Sequence, residues 1–510
     1  MWRAQPARTV VIGTAVVVFV VCSVVPVAYL LFTALAGTGA AYTTVLLDAR
    51  QRGLLFNTAL LGAGAALLAT AVGVPLGIAL ARVPLRRTGL IRLVLSAPAL
   101  LPPYVVGLAW VYMGLLSAWT YSLPAAILVL GLVFFPLSML STEVAMRRID
   151  GRLEEAALIV APPSRALRRV TLPLAAPAVL AATLVIFVLA VSEFGVPGLL
   201  RVRVYTTEVF TAFASLYDFT RATLLSLPLL VLSAAVAGAA SLLVGDRLVT
   251  TRRRTGAGPL TFDAWRPLAR SAIAAVVLVG LGLPIAILLR EALGARSLGA
   301  ALAGSGRAIA NSLMLSAAGA TVVVAVSMWL GYARARAGRF GQLADVMLVV
   351  LFAVPSTIIG IGLIGVWNRP GLLGVAYATD AMFLLAYLAR FLPLAALIVA
   401  ASTRHVPVSH EEAAASSGAG WSRTMGRIVL PQIGLGLAAA WVITFVLAFG
   451  ELGVSILVAP PGESTLPIRI YTIIANTPAS TVASLALLQA LVIFAPLAVF
   501  AAAGACRGRT

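Results

Sequence analysis

Long runs of apolar residues follow one another along the chain, separated by short polar segments. A helix that crosses a membrane needs about 20 predominantly apolar residues, and the pattern predicts twelve such helices. Six precede residue 246: Val10–Leu35, Thr58–Ala81, Ile91–Leu116, Pro124–Leu140, Leu174–Ser192 and Thr223–Val244. Six follow residue 268: Ala272–Leu289, Ser312–Ala333, Leu343–Val366, Tyr377–Ala401, Ile433–Phe449 and Ser480–Ala503. The pattern therefore predicts an all-α polytopic membrane protein.

Arginine is concentrated in every second connection between these segments. Loops rich in positive charge stay on the cytoplasmic side, so we expect both termini in the cytoplasm of a bacterial cell and a multi-pass protein of the cytoplasmic membrane. Residues 246–268 are rich in Arg and Gly and include Arg252–Arg254. This composition predicts a flexible cytoplasmic linker between a first half at 1–245 and a second half at 269–510.

Composition excludes several classes of protein. Hydrophobic residues make up 61% of the 510 residues and charged residues only 11%, whereas soluble domains are about a quarter charged. A soluble enzyme, a nucleic-acid-binding protein and a disordered chain are therefore excluded. The 37 basic residues are all arginine, and a Walker A motif requires a lysine for the phosphates. If ATP drives this protein, we expect another chain to bind it.

Cysteine and histidine are too few and too scattered for a metal or disulfide framework. Cys22 lies in the first apolar segment and Cys506 in the C-terminal tail, while His405 and His410 share one polar stretch. This spacing fits neither a metal site nor paired cysteines. No cofactor is therefore expected in the chain, and a membrane enzyme is the least favoured functional class.

Two polar loops resemble each other at a fixed separation of 258 residues. Glu154–Pro173 matches Glu412–Pro431, and Ser192–Pro197 matches Gly450–Ser455. Each half contains an even number of predicted spans, so the repeat is parallel and its pseudo-twofold axis runs along the membrane normal.

The second loop carries the spaced pattern Glu-Ala-Ala, three residues, Gly, nine residues, Ile, one residue, Leu-Pro. This signature resembles that of importer-type ABC transporter permeases that work with a binding protein. Together with "FGVPGLL" and "GELGVSILV", it resembles the ferric-iron importer permeases and their thiamine relatives, which fuse two permease domains. The resemblance covers about residues 55–245 and 307–503. It assigns ATPase coupling to Glu412, Ala413, Ala414, Gly418, Ile428, Leu430 and Pro431.

The first loop departs from this pattern. In the alignment at 258 residues, Glu154 holds the acidic position, Glu155 replaces the first alanine, and Val160 replaces the glycine before a proline pair. Glycine adopts a positive φ at little cost, whereas valine does not, so we expect this turn to be built differently. The corresponding coupling residues are Glu154, Glu155, Ala156, Ala157, Val160, Leu172 and Pro173.

The resemblance implies the type I ABC importer permease fold and a chain that is not itself an enzyme. Its implied partners are two ATPase subunits, which would hold ATP and Mg, an extracytoplasmic substrate-binding protein and the lipid bilayer, with no nucleic acid. Ferric iron is the first expectation for the substrate, and thiamine, polyamine and phosphonate remain open. A secondary transporter of parallel six-plus-six architecture is the alternative class, although this chain has few acids at mid-membrane positions.

Local signals predict how the loops begin and which polar residues lie in the membrane. Ser409–Glu412 fits a capping box, and Asp150 is expected to cap the first loop's helix. Glu193 and Glu451 end equivalent spans, where they either line a cation pathway or cap the following segment. Arg390 lies within the tenth span and is a pathway candidate, or it forms a buried ion pair with Asp380 or a pathway acid.

Overall fold

The computed structural model describes residues 6–36, 48–114, 117–245, 260–293, 297–338 and 340–507. Regular structure in these ranges is entirely helical. Ten helices are long and apolar enough to cross a membrane, and two further spans consist of a helix pair that is bent at a break. The twelve predicted spans are thereby confirmed, and the chain has the type I importer permease fold in two repeats.

The first half contains eleven helices within the described ranges. They are α1 Pro6–Leu35, α2 Ala49–Arg82, α3 Thr88–Leu100, α4 Pro103–Met113, α5 Ser117–Thr120, α6 Leu123–Arg148, α7 Gly151–Val160, α8 Pro163–Ser192, α9 Gly195–Leu199, α10 Tyr205–Ala214 and α11 Phe219–Gly245. The spans are α1, α2, the bent pair α3 and α4, α6, α8 and α11.

The second half repeats this order. Its helices are α12 Asp263–Ala292, α13 Ser297–Ala335, α14 Gly341–Ala353, α15 Ser356–Trp367, α16 Leu372–Tyr377, α17 Ala381–Arg404, α18 Val408–Ser416, α19 Trp421–Phe449, α20 Ser455–Val458, α21 Leu466–Ile473 and α22 Ala479–Arg507. The bent pair is α14 and α15.

The third and ninth predicted spans are broken in the middle. Helices α3 and α4 meet at 84°, and α14 and α15 meet at 94°. Pro102 and Pro355 lie at the two breaks, where proline removes a backbone donor and ends the preceding helix. Broken backbone at membrane depth is tolerated only where it is buried in protein or lines a cavity, so the breaks mark a site inside the bundle.

The first span of each half packs against the other half. Helix α1 contacts α13, α15 and α17, whereas α12 contacts α4 of the first half as well as α22 of its own half. This exchange joins the two repeats into one bundle.

Four π-helical turns extend the repeat to the first span of each half. They lie 258 residues apart in two pairs, and a proline follows each turn two residues after its end. Such turns are rare and are frequent at functional sites. The pairs are Val20–Val24 with Leu278–Gly282, and Leu167–Thr171 with Met425–Val429.

The last residues of the predicted linker, from Leu260 onward, are packed against the first half. Residues 246–259, which include Arg252–Arg254, lie outside the described residues, as do both chain ends. Leu260 and Phe262 are buried against the first half, and the Phe262 N–H donates to the Arg82 carbonyl at 3.1 Å. The last part of the segment is therefore packed, because its apolar side chains cover Val83, Met146 and Leu167 of the first half.

Candidate transport cavity and coupling helices

The two repeated loops each form a short helix, a turn and a second helical segment that continues into a span. Asp150 caps α7 as predicted, because its carboxylate accepts the Arg152 N–H at 3.1 Å. The predicted capping box of α18 is wrong. Helix α18 starts at Val408 after Pro407, and no side chain caps it, so Ser409 already lies inside the first turn.

Helix position corrects the alignment of the two loops by one residue. Glu154 and Glu411 are each the fourth residue of their helix, and both are buried against an arginine. Glu155 and Glu412 follow them, and both are exposed. Glu155, not Glu154, is therefore the structural equivalent of Glu412.

The cause of the shift is the turn after the first helix. Gly418 adopts φ 78° in the second loop, whereas the first loop turns at Ala161 and Pro162 without any positive φ and is one residue shorter. Val160 is the last helical residue rather than the glycine equivalent.

Each short helix presents a distinct outer face. Glu155 and Ala156 are exposed on α7, and Glu412 and Ala413 are exposed on α18, while Ala414 is buried. Helix α7 ends in two exposed apolar residues, Val160 at 81% exposure and Ile159 at 85%, of which the sequence analysis missed Ile159. Large apolar side chains exposed to this extent suit contact with another protein or with lipid.

The remaining loop residues lie where the second segments continue into the spans. Their side chains are half-buried or exposed, and they follow or form part of the π-helical turns. They are Leu172, Pro173, Ile428, Leu430 and Pro431, whereas the half-buried Ala157 lies inside α7.

A cavity of about 140 Å³ lies between the two halves. Both breaks, Leu100–Tyr104 and the segment of Phe352 and Ser356, contribute to its wall, as do the C-terminal ends of α8 and α19. The breaks and helix ends that form it are equivalent in the two repeats, so the cavity lies on the pseudo-twofold axis. Glu193, Glu451 and Arg390 all line it.

Each cavity carboxylate also caps the segment that follows it. The Gly195 N–H donates to Glu193 Oε1 at 2.9 Å, and the Val454 N–H donates to Glu451 Oε1 at 2.9 Å. Both residues are partly buried. The two sequence-based interpretations, pathway lining and local capping, are therefore compatible in the same side chains.

Arg390 does not form the expected ion pair in the described part of the chain. Its guanidinium donates to the Phe352 carbonyl at 2.9 Å and to the Val354 carbonyl, and it lies 5.5 Å from the centre of the Phe352 ring. The physical reason is the break before Pro355, which leaves the carbonyls of the last turn of α14 without helical partners. A cation at this end also interacts favourably with the helix dipole.

Only the second half has this arginine. Arg390 lies three residues before Pro393, and Val133 lies three residues before Pro136 in the first half and lines the same cavity. The cavity therefore holds two carboxylates and one guanidinium.

Polar contacts between the halves hold the cavity wall together. Ser192 at the end of α8 donates to the Ala353 carbonyl at 3.3 Å. Tyr104 donates to Gln489 Oε1 at 2.5 Å, and Gln489 donates to the Phe449 carbonyl at 3.1 Å. Sequence reasoning did not identify these residues, since single buried polar side chains carry no repeated pattern.

Broken spans from two parallel repeats around a shared cavity define a membrane permease of the type I importer class. Within that class, the chain belongs to the family described as the binding-protein-dependent transport system inner membrane component. The model of this family matches residues 73–255 and 323–504, so it covers both halves and well over half of the chain.

Three curated relatives show how far the similarity extends. The Fe(3+)-transport system permease protein FbpB 2 of Haemophilus influenzae is 23% identical over 472 residues, which is 89% of this chain and 90% of the relative. A putative ABC transporter permease protein, ORF1, of Streptomyces antibioticus is 32% identical over 36% of this chain and 82% of the relative. The molybdenum transport system permease protein ModB of Mycobacterium tuberculosis is 30% identical over 32% of this chain and 63% of the relative.

Proposed function

We propose that this chain is the membrane-spanning subunit of an ATP-driven importer and forms the pathway for a substrate that an extracytoplasmic binding protein delivers. The observation that carries the proposal is the cavity between the halves. Equivalent breaks and equivalent helix ends build it, and acids from both halves line it. A pathway on the axis of a two-fold repeat allows both halves to open and close it together.

The coupling helices α7 and α18 are the proposed docking sites for two ATPase subunits, which hold the ATP and Mg. Glu155 and Glu412 follow the first turns of these helices and are exposed, so each can meet a basic group of a partner. Ile159 and Val160 supply an apolar contact that a binding groove on the ATPase would cover. With this docking, the loops and both chain termini lie in the cytoplasm.

Ferric iron is the proposed substrate. When both carboxylates are ionised, they and the one guanidinium give the cavity a formal charge of about −1, which attracts a cation and disfavours an anionic substrate. The relative that spans almost the whole chain is a Fe(3+)-transport permease, whereas the molybdenum permease covers about a third of it. Among the other candidates, thiamine and polyamine are cations, and phosphonate is disfavoured by the same charge argument.

The test is uptake into proteoliposomes that contain the chain with its ATPase subunit, with the binding protein added outside. We expect ferric iron uptake that requires both ATP inside the vesicles and the binding protein outside them. Uptake by the chain alone under a proton or sodium gradient would instead identify a secondary transporter. ATP-driven uptake of another cation in place of iron would correct the substrate and keep the importer.

The docking assignment has its own test in Glu412→Arg. This residue is exposed, and surface substitutions shift stability by about 0.5 kcal/mol or less, so the variant is expected to fold. The reversed charge should lower copurification of the ATPase subunit and ATP-driven uptake at least ten-fold. Asp48→Arg is the matched control, since Asp48 is an exposed acid at the start of α2. Normal ATPase association in Glu412→Arg would contradict the docking site.

A further inference from the structure

Two buried arginine–glutamate pairs occupy equivalent places in the two halves. Arg82, the last residue of α2, donates from Nη2 to Glu154 Oε1 at 2.6 Å, and the two side chains are 1% and 0% exposed. Arg336, the first residue after α13, donates from Nε to Glu411 Oε1 at 2.8 Å. Each pair therefore connects the end of a half's second span to the coupling helix of the same half.

Each arginine also holds the backbone just before the coupling helix. Arg82 Nη2 donates to the Met146 carbonyl at 2.9 Å, and Arg336 Nη2 donates to the Val406 carbonyl at 3.0 Å. The Nε and Nη1 groups of Arg82 have no other partner among the described residues. Among the described residues, the Arg82 guanidinium is therefore held through Nη2 alone, by the Met146 carbonyl and by Glu154.

We propose that Arg82–Glu154 and Arg336–Glu411 are the joints through which movement of the coupling helices reaches the membrane spans. This inference rests on the proposed function, and it assigns these four residues a positioning role. On each helix, two neighbouring acids then have different roles. Glu155 and Glu412 face outward for docking, and Glu154 and Glu411 face inward for transmission.

The energetics of buried ion pairs favour this interpretation over simple stabilisation. Removing two charges from water offsets much of their attraction, so such a pair contributes little net stability and its best-attested use is to fix one geometry. Charge-assisted hydrogen bonds are directional and short. A helix held by them at two points cannot slide along the span as it could over an apolar surface.

The first joint continues toward the cavity. Thr171 donates to Glu154 Oε1 at 3.1 Å, and Thr171 closes the π-helical turn at the base of α8. The other end of α8 leads into Glu193 at the cavity. In the second half, Tyr332 of α13 donates to Glu411 Oε2 at 2.7 Å, which ties that acid to the span at a second residue.

The experiment compares adjacent acids in the assembled complex with its ATPase and binding protein in proteoliposomes. The test variant is Glu154→Gln with Glu411→Gln, and the control is Glu155→Gln with Glu412→Gln. We measure ATPase subunit per permease and ATP hydrolysed per ferric ion transported. The test variant should keep ATPase association within two-fold and raise the ATP-to-iron ratio at least ten-fold. The control should weaken association and leave the ratio of the assembled complex unchanged.

A wild-type ratio in the folded test variant would overturn the inference. If Glu154→Gln does not accumulate, Glu411→Gln alone decides, because its pair is less completely buried, at 12% and 8% exposure, and tolerates the loss of charge better. The inference then requires that Glu411→Gln raise the ATP-to-iron ratio at least three-fold while ATPase association stays normal. Absence of ATP-driven uptake by the wild-type complex would refute the proposed function itself, which distinguishes the two failures.

Discussion

Gly77 of α2 lies where this helix packs most closely on α6, and Gly77→Ala should loosen the first half. A Cβ atom at this position would lie 2.6 Å from the Met139 carbonyl oxygen and 2.6 Å from Thr142 Cβ. Gly73, one turn earlier, faces the Phe135 carbonyl at the same distance. Small residues four apart allow two membrane helices to approach closely.

The expected cost follows from these distances. Ordinary contact begins at 3.4 Å, and the obstacle is a backbone carbonyl that cannot rotate away, so α6 must move by several tenths of an ångström. Overpacking of this kind costs about 1–3 kcal/mol. Alanine recovers about 0.5–1 kcal/mol in helix propensity relative to glycine. The net expectation is a destabilisation of up to about 2.5 kcal/mol, with a centre at about 1 kcal/mol.

The assay is the apparent midpoint of thermal unfolding of the purified protein in detergent, followed by tryptophan fluorescence. Gly53→Ala is the control in the same helix, since a Cβ there meets nothing within 4 Å and the midpoint should stay or rise. Gly331→Ala in α13 should lower the midpoint as Gly77→Ala does, because its Cβ would lie 2.8 Å from the Ala396 carbonyl oxygen. A midpoint for Gly77→Ala equal to or above that of Gly53→Ala would refute the close-packing argument.

Two further predictions concern the pathway and the orientation. Glu193→Gln with Glu451→Gln keeps an oxygen that accepts the capping N–H and removes both charges, so ferric iron uptake should fall at least ten-fold with normal ATPase association. Wild-type uptake would contradict the pathway role, and Asp48→Asn is the control. In a background without native cysteines, a cysteine at Ala419 should resist an impermeant thiol reagent added to intact cells, whereas one at Leu372 should react. Labelling at Ala419 would reverse the orientation.

The sequence predicted the spans because run length and apolarity alone decide whether a helix can cross a membrane. It did not predict the right-angle breaks. Pro102 and Pro355 indicate a kink, but the size of the bend depends on packing across the halves, such as the contact of Ser192 with Ala353. The partner of Arg390 was missed for the same reason, since the carbonyls that it binds become available only at the break.

The alignment of the coupling loops failed by one residue for a local reason. The Leu-Pro ends at Pro173 and Pro431 fix the separation of 258, yet the shorter proline turn shifts the preceding helix. Sequence matching therefore equated Glu154 with Glu412, and only the shared burial of Glu154 and Glu411 against arginines shows the true register. An internal repeat predicts which loops correspond, but a turn of different length changes which residues do.

Several features that occur in both halves lie on one continuous path through each half. The path begins at the coupling helix, continues through a π-helical turn at Leu167–Thr171 or Met425–Val429, follows α8 or α19 and ends at Glu193 or Glu451. Arg390 and the packed segment around Phe262 differ between the halves and lie beside this path, whereas the proline turn lies on it in the first half alone. Under the proposed coupling, a buried ion pair at the start and an acid at the end would belong to one lever, and we expect substitutions at equivalent positions to impair the same step of transport.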